Sequence, residues 1–141
     1  MKSCFLAWLM LAGSGTFGQQ AHTVVADSAI VYQGFGGGGS TASLKFYSKA
    51  VDTMKHVNKM PLNNYDLDTL NFLLTQVTSK RHFQQKVGSS FYARLIKDGK
   101  ESRLAVVPGW AIIDLTHNRL YIFTNTVYAD IYNRLVNKLY R

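Results

Sequence analysis

The sequence contains 141 residues, with 16 lysines and arginines against 8 aspartates and glutamates, so its formal net charge is +8. A hydrophobic share of 47% is enough to build the core of one ordinary domain. Cys4 is the only cysteine, which excludes an intrachain disulfide and a cysteine-based metal site within this sequence. The positive charge favours anionic partners such as nucleic acid, acidic glycans or anionic lipid headgroups.

The first 18 residues are typical of a secretory signal peptide. Lys2 gives a basic start, residues 4–12 form an uncharged apolar run, and Thr16 and Gly18 occupy the −3 and −1 positions of a cleavage site. The run is shorter than the ~20 residues of a membrane-spanning helix, although a short buried helix or an uncleaved anchor is the alternative. We expect export through a cleaved signal peptide to a secreted or periplasmic location.

A glycine-rich segment follows a short strand pattern at residues 29–33, whose sequence is AIVYQ. Gly34, Gly36 and Gly39 have the spacing of a phosphate-binding turn. Ser40 stands where a nucleoside-triphosphate loop requires lysine, so this class of site is excluded.

The same glycines make a poor dinucleotide site. The acidic residue at the required distance, Asp52, falls inside a predicted helix and not at the end of a second parallel strand. Four consecutive glycines are typical of a connector, so residues 19–39 are predicted to hold a strand and a flexible segment. An anion-binding helix start at Ser40 and Thr41, assisted by Lys45, is the alternative.

Two amphipathic helices are predicted next. Apolar residues recur every three or four positions over residues 40–58, although the alternation within residues 43–48 also allows a strand. Pro61 prevents the first helix from continuing, because the residue before a proline is disfavoured in helical conformation. The second helix starts at the capping residues 63–66 and extends to about Lys80. Its apolar stripe consists of Leu67, Leu70, Leu73, Leu74 and Val77.

The pattern then changes from helical to alternating, which predicts two consecutive β-hairpins. Asp98-Gly99 is typical of a type I′ turn, and a two-residue turn there pairs Leu95 with Ser102. The second hairpin is apolar on both faces, so we expect it to be the more central pair.

A two-residue turn at His117-Asn118 is predicted for the second hairpin, which would place Asp114 opposite Tyr121. A final helix is capped by Asn125 or Thr126. Its apolar positions at every fourth residue are Val127, Ile131, Leu135 and Leu139.

These elements predict a single α+β domain at residues 40–141. Its antiparallel sheet would have four to five strands, made of the two hairpins and a possible N-terminal strand. About three helices would pack against this sheet.

The acid–base candidates are few. Asp114 is predicted within the most apolar hairpin, where a buried carboxylate needs hydrogen bonds from the backbone or a tyrosine hydroxyl. His117 and His82 become useful for catalysis only if folding brings a partner to them. No two histidines have the spacing of a helical metal site, so we expect neither a metal nor a cofactor.

Basic side chains concentrate at Lys80, Arg81 and Lys86, which are candidates for binding an anionic ligand. Cations at this place also suit the C-terminal end of the second predicted helix, which is the simpler interpretation.

Tyrosine is frequent in the second half of the chain. Tyr92, Arg94, Tyr128 and Tyr132 are candidate interface residues, because tyrosine and arginine are the typical anchors of protein interfaces. The alternative is that the rings pack between helices and sheet with their hydroxyls at the rim.

These features favour a small exported binding or protein-interaction module without catalytic activity, whose partner is an unknown protein or an anionic polymer. One alternative is a small exported hydrolase that acts on an anionic polymer through Asp114, His117 or His82. Another is an anionic-ligand binder that uses the glycine-rich helix start.

The export prediction has a direct measurement. N-terminal sequencing of the protein recovered from the exported fraction should begin at Gln19, because cleavage after Gly18 satisfies the small-residue preference. Recovery of the chain with Met1 intact from a membrane fraction would instead support the uncleaved anchor.

Overall fold

The computed structural model describes residues 25–33, 37–39, 41–81, 87–89, 91–109 and 111–140. The predicted signal peptide at residues 1–18 lies outside the described residues. Among the residues described, no helix is both long and apolar enough to span a membrane.

Three helices and nine strands make up the described part of the chain. The helices are α1 (Thr41–Ala50), α2 (Asn64–Thr75) and α3 (Thr126–Tyr140). The first five strands are β1 (Ser28–Gln33), β2 (Gly37–Gly39), β3 (Asn58–Pro61), β4 (Thr78–Arg81) and β5 (Val87–Ser89). The last four are β6 (Phe91–Lys97), β7 (Lys100–Val107), β8 (Ala111–Asp114) and β9 (Arg119–Ile122).

Seven of these strands form one antiparallel sheet in the order β3-β1-β6-β7-β8-β9-β4, and β2 pairs with β5 in a small second sheet. The predicted α+β class and the three helices are therefore confirmed. The prediction of four to five strands is too small, because β3 and β4 add an edge strand on each side of the sheet.

The first predicted hairpin is confirmed in its turn and in its register. Leu95 lies opposite Ser102, as the two-residue turn requires. Asp98 and Gly99 both have positive φ, at 49° and 71°. This backbone conformation matches the twist of the two strands, and asparagine, aspartate and glycine adopt it most readily.

The sheet is covered on both faces, which gives three layers. On one face, α2 and α3 pack against alternate residues of the central strands, with Leu73 and Tyr132 among the most buried side chains. On the other face, Leu44 and Val51 pack against a second set that includes Tyr92. Each fully buried leucine stabilises the fold by about 1.5–3 kcal/mol.

Helix α1 ends at Ala50, eight residues before the predicted end. The Asp52 carboxylate accepts a hydrogen bond from the Tyr32 hydroxyl at 2.5 Å and another from Arg103 Nη2 at 2.7 Å. These bonds hold Asp52 against the sheet instead of in another helical turn. The chain is then free to form β3, which pairs with β1.

Helix α2 also ends early, at Thr75 and not near Lys80. Its predicted start is confirmed, since the Asn63 side chain accepts a hydrogen bond from Asp66 N at 2.9 Å. The residues beyond α2 form β4, which pairs with β9 about forty positions later. Val77 has the spacing of the apolar stripe of α2, so the sequence pattern predicted a longer helix there. The pattern did not predict β4, because its partner strand is remote in the sequence.

Asp52 gives the fold a pH-dependent contribution. Burial opposes its ionisation, but the hydrogen bonds from Tyr32 and Arg103 and the charges of Arg103 and Arg94 outweigh this, so the pKa of Asp52 is lowered. The carboxylate therefore stabilises the folded state above its unfolded pKa of about 4, and this stabilisation is lost as the pH falls through the lowered value.

We expect Asp52→Asn to lower the free energy of unfolding by about 1–3 kcal/mol at pH 7, because charged hydrogen bonds are lost. The difference from the wild type should shrink below about pH 4. Urea unfolding at several pH values measures it, with Asp130→Asn on an exposed position of α3 as the control. A difference that stays constant from pH 7 to pH 3 would contradict this role.

Candidate functional site

The second hairpin turns differently from the prediction. Asp114 lies opposite Arg119, not opposite Tyr121, and four loop residues (115–118) connect β8 to β9. Leu115 does not pair with β9, because its N–H donates to the Arg103 carbonyl on β7 at 2.8 Å. The register is shifted by two residues, so every side chain keeps the face that the alternation predicts.

The Asp114 carboxylate organises this loop. It has no exposed surface, and its Oδ1 accepts hydrogen bonds from Thr116 N and His117 N, both at 2.9 Å. Its Oδ2 accepts from the Tyr121 hydroxyl at 2.9 Å and lies 2.8 Å from His117 Nδ1. A buried carboxylate is tolerated when its acceptor positions are used in this way.

Tyr121 supports the same arrangement from β9. Burial, together with the charge of Asp114 and the hydrogen bond to it, raises the pKa of Tyr121 well above its ordinary value. The hydroxyl therefore remains a donor to Asp114 throughout the physiological pH range.

The His117 imidazole is fixed at one nitrogen and open at the other. Because the carboxylate oxygen accepts, Nδ1 carries the proton of this contact and Nε2 is the acceptor of the neutral ring. The side chain is 54% exposed, and its hydrogen bonds within the described residues all go to Asp114. The ring is thus held in position with Nε2 available to a bound molecule.

His117 lines a cavity of about 800 Å³, which we call the His117 cavity. Its walls are residues of β4, β6, β7 and β9, the turn between β6 and β7, and the loop between β8 and β9, together with Val25. They are Val25, Ser79, Lys97, Asp98, Lys100, Glu101, Ser102, His117, Arg119 and Tyr121.

The acidic residues near this cavity are largely engaged. Lys97 pairs with Asp27 at 2.9 Å, and this hydrogen bond and charge raise the pKa of Lys97. Glu101 pairs with Arg103 at 2.6 Å. Among the ion pairs of the described residues, none involves Lys100 or Arg119. These two cations are therefore available to an anion.

Sequence reasoning identified Asp114 and His117, and the structure brings them into direct contact. Sequence reasoning did not identify Lys100 and Arg119. A signal for both was present, because the first and third turns of an antiparallel meander lie at the same end of the sheet. The basic residues flanking those two turns must therefore converge.

The other basic candidates are separated. Lys45 lies on α1 and lines a different cavity, and Lys80 is exposed on the edge strand β4. Arg81 ends β4, where its position is directly opposite Arg119. Thr41 is the first residue of α1. Three further candidates lie outside the described residues: Ser40, His82 and Lys86.

The interface candidates are placed mainly in the interior. Tyr92 and Tyr132 are each 1% exposed, because they fill the cores on opposite faces of the sheet. The Tyr132 hydroxyl lies 2.9 Å from the Val107 carbonyl oxygen, an acceptor within the protein. Arg94 is half-buried and pairs with Asp52 at 3.5 Å, and Tyr128 packs edge-on against Phe72.

Within the described ranges, no group of three or more histidine, cysteine, aspartate or glutamate side chains is arranged to hold a metal ion. No protein-family model, curated protein or solved structure matches the chain. The geometry of the chain itself is therefore the basis for proposing a function.

Asp114→Asn tests how the site is held. The amide places N–H donors toward His117 and Tyr121, so the imidazole proton should move from Nδ1 to Nε2 and the free energy of unfolding should fall by about 1–3 kcal/mol. Ring-nitrogen chemical shifts of His117 and urea unfolding measure the two effects. Asp130→Asn serves again as the control, and an unchanged tautomer with wild-type stability would contradict the role given to Asp114.

Proposed function

We propose that the protein is a small exported binding module that holds an anionic ligand in the His117 cavity. The observation that supports this most directly is the presence of Arg119 and Lys100 in the cavity wall without an ion pair to any described residue. Three cationic side chains line the cavity against the two acidic side chains of Asp98 and Glu101, and an excess of one sign of charge in a cleft concentrates ligands of the opposite sign.

The chemistry of the wall suits an oxyanion. A guanidinium donates two parallel hydrogen bonds to a carboxylate, sulfate or phosphate group. Lys100 adds a second charge, and the hydroxyls of Ser79 and Ser102 belong to the same wall. Asp98, an acidic residue of the wall, follows Lys97 in the chain, and its charge contributes to the raised pKa of that lysine.

Binding without catalysis is the simpler function for this geometry. Nucleophilic catalysis would require a serine, threonine or water within hydrogen-bond reach of His117 Nε2. No hydroxyl of the described residues forms a hydrogen bond with the imidazole, whose partner is Asp114. The buried carboxylate explains the fixed ring without any reaction.

A hydrolase that acts on an anionic polymer is the second candidate. It is favoured by one observation, the 2.8 Å contact between Asp114 Oδ2 and His117 Nδ1. A carboxylate in this position orients an imidazole and stabilises its protonated form during general acid–base catalysis. A hydrolase would shorten a sulfated polysaccharide during incubation, whereas a binding module would leave its length unchanged.

The glycine-rich helix start is not needed for this proposal. Gly37–Gly39 form strand β2, which pairs with β5, and the preceding glycines lie outside the described residues. The His117 cavity has its own cations and does not include α1.

Arg119→Gln should abolish most of the binding. We expect a sulfated heparin disaccharide to bind the wild type at low salt and to lose at least tenfold in affinity in this variant, because a charge-assisted hydrogen-bond donor is removed. Isothermal titration calorimetry measures the affinity, and ring-nitrogen shifts of His117 report where the disaccharide binds.

Arg134→Gln is the matched control, since it removes the same charge from an exposed position of α3 outside the His117 cavity. Its affinity should remain that of the wild type. Equal losses in both variants, or no binding by the wild type at low salt, would reject the proposed function.

A further inference from the structure

A second polar cavity shares part of its wall with the His117 cavity. It encloses about 400 Å³, and we call it the Lys45 cavity. Its lining residues are Lys45, Ser48, Lys49, Glu101, Arg103, Leu115 and Thr116. Glu101 lines both cavities, and Thr116 of one is followed in the chain by His117 of the other. Consecutive Cα atoms are about 3.8 Å apart, so the 115–118 loop contributes to the walls of both cavities.

The Lys45 cavity is also cationic. Arg103, one of its lining residues, forms ion pairs with Asp52 and Glu101. It also donates a hydrogen bond to the Ser48 carbonyl. Within the described part of the chain, no ion pair engages Lys45 or Lys49. Helix α1 therefore presents two free ammonium groups beside the same loop that carries His117.

The walls of the two cavities, which we call the basic track, both include the loop at one end of the sheet. Six cationic side chains line it, against the two acidic side chains of Asp98 and Glu101. Glu101 is paired with Arg103, which reduces the repulsion of its carboxylate toward an anionic chain. A single small anion would occupy only one of the two cavities.

We propose that the ligand is an anionic polysaccharide chain, which runs from the His117 cavity over the 115–118 loop into the Lys45 cavity. This inference rests on the proposed function and deepens it by naming the class of ligand. Successive carboxylate or sulfate groups along the chain would meet Arg119 and Lys100 first, and then Lys45 and Lys49.

The lining residues favour a polysaccharide over a single-stranded nucleic acid. Proteins that bind single strands stack the bases on exposed aromatic rings. Besides His117, the aromatic ring in the described walls of the track is Tyr121, which is 4% exposed and bound to Asp114. Within the described walls His117 is thus the one exposed aromatic ring, so successive bases would lack a stacking surface, whereas acidic sugars need cations and hydroxyls.

The test compares short and long ligands on one charge-reduced variant. Lys45→Gln/Lys49→Gln should bind the sulfated heparin disaccharide as the wild type does, which also shows that the His117 cavity is still folded. A heparin dodecasaccharide should bind the wild type more tightly than the disaccharide does. The double variant should lose about tenfold in this longer-chain affinity, since two exposed ion pairs are removed.

Salt dependence gives a second readout. The affinity for the dodecasaccharide should fall linearly with salt on logarithmic scales, and the slope should be shallower in the double variant because fewer counterions are released. The control is Lys55→Gln/Arg134→Gln, which removes the same charge at positions outside both cavities and should keep the wild-type slope.

Each result decides the inference. Equal affinity of the wild type for both chain lengths, or equal losses in the control variant, would overturn the track while leaving disaccharide binding intact. Tighter binding of a single-stranded oligonucleotide of the same charge would overturn the polysaccharide assignment. Absence of disaccharide binding by the wild type would instead reject the proposed function itself.

Discussion

The buried carboxylate of Asp114 is the constraint on which this end of the molecule depends. An ionisable group without exposed surface requires hydrogen bonds, and Asp114 obtains four from the loop and strand that follow it. Meeting this requirement sets the length of the β8–β9 loop and the register of the hairpin. It also fixes the imidazole of His117, so the feature that stabilises the turn positions the ring that faces the cavity.

A second carboxylate plays the corresponding part on the opposite face of the sheet. The Asp52 carboxylate accepts hydrogen bonds from Tyr32 and Arg103. These bonds hold the chain just beyond helix α1 against the sheet. Arg103 also neutralises Glu101, which lies between the two cavities. Asp52 and Asp114 thus bind neighbouring polar groups, while Lys45, Lys49, Lys100 and Arg119 take part in no ion pair among the described residues.

Local patterns predicted the elements whose stabilising contacts are close in the sequence. The Asp98-Gly99 hairpin had the right turn and register, because two residues of suitable chemistry decide both. The caps at Asn63 and Asn125 are also local, and each side chain accepts a hydrogen bond from a nearby backbone N–H. Strands β3 and β4 were missed, since their partners lie far along the chain and each follows a helical pattern that overran its true end.

The sequence by itself determined the composition, the positive charge, the α+β class and the identity of Asp114 and His117 as the residues to examine. The tertiary structure decided that they touch, and that Arg119 and Lys100 join them at one end of the sheet. The reason is physical: alternation assigns each side chain to a face, but strand order and loop length decide which turns meet. Long-range pairing therefore produced the basic cavity that no single stretch of sequence displays.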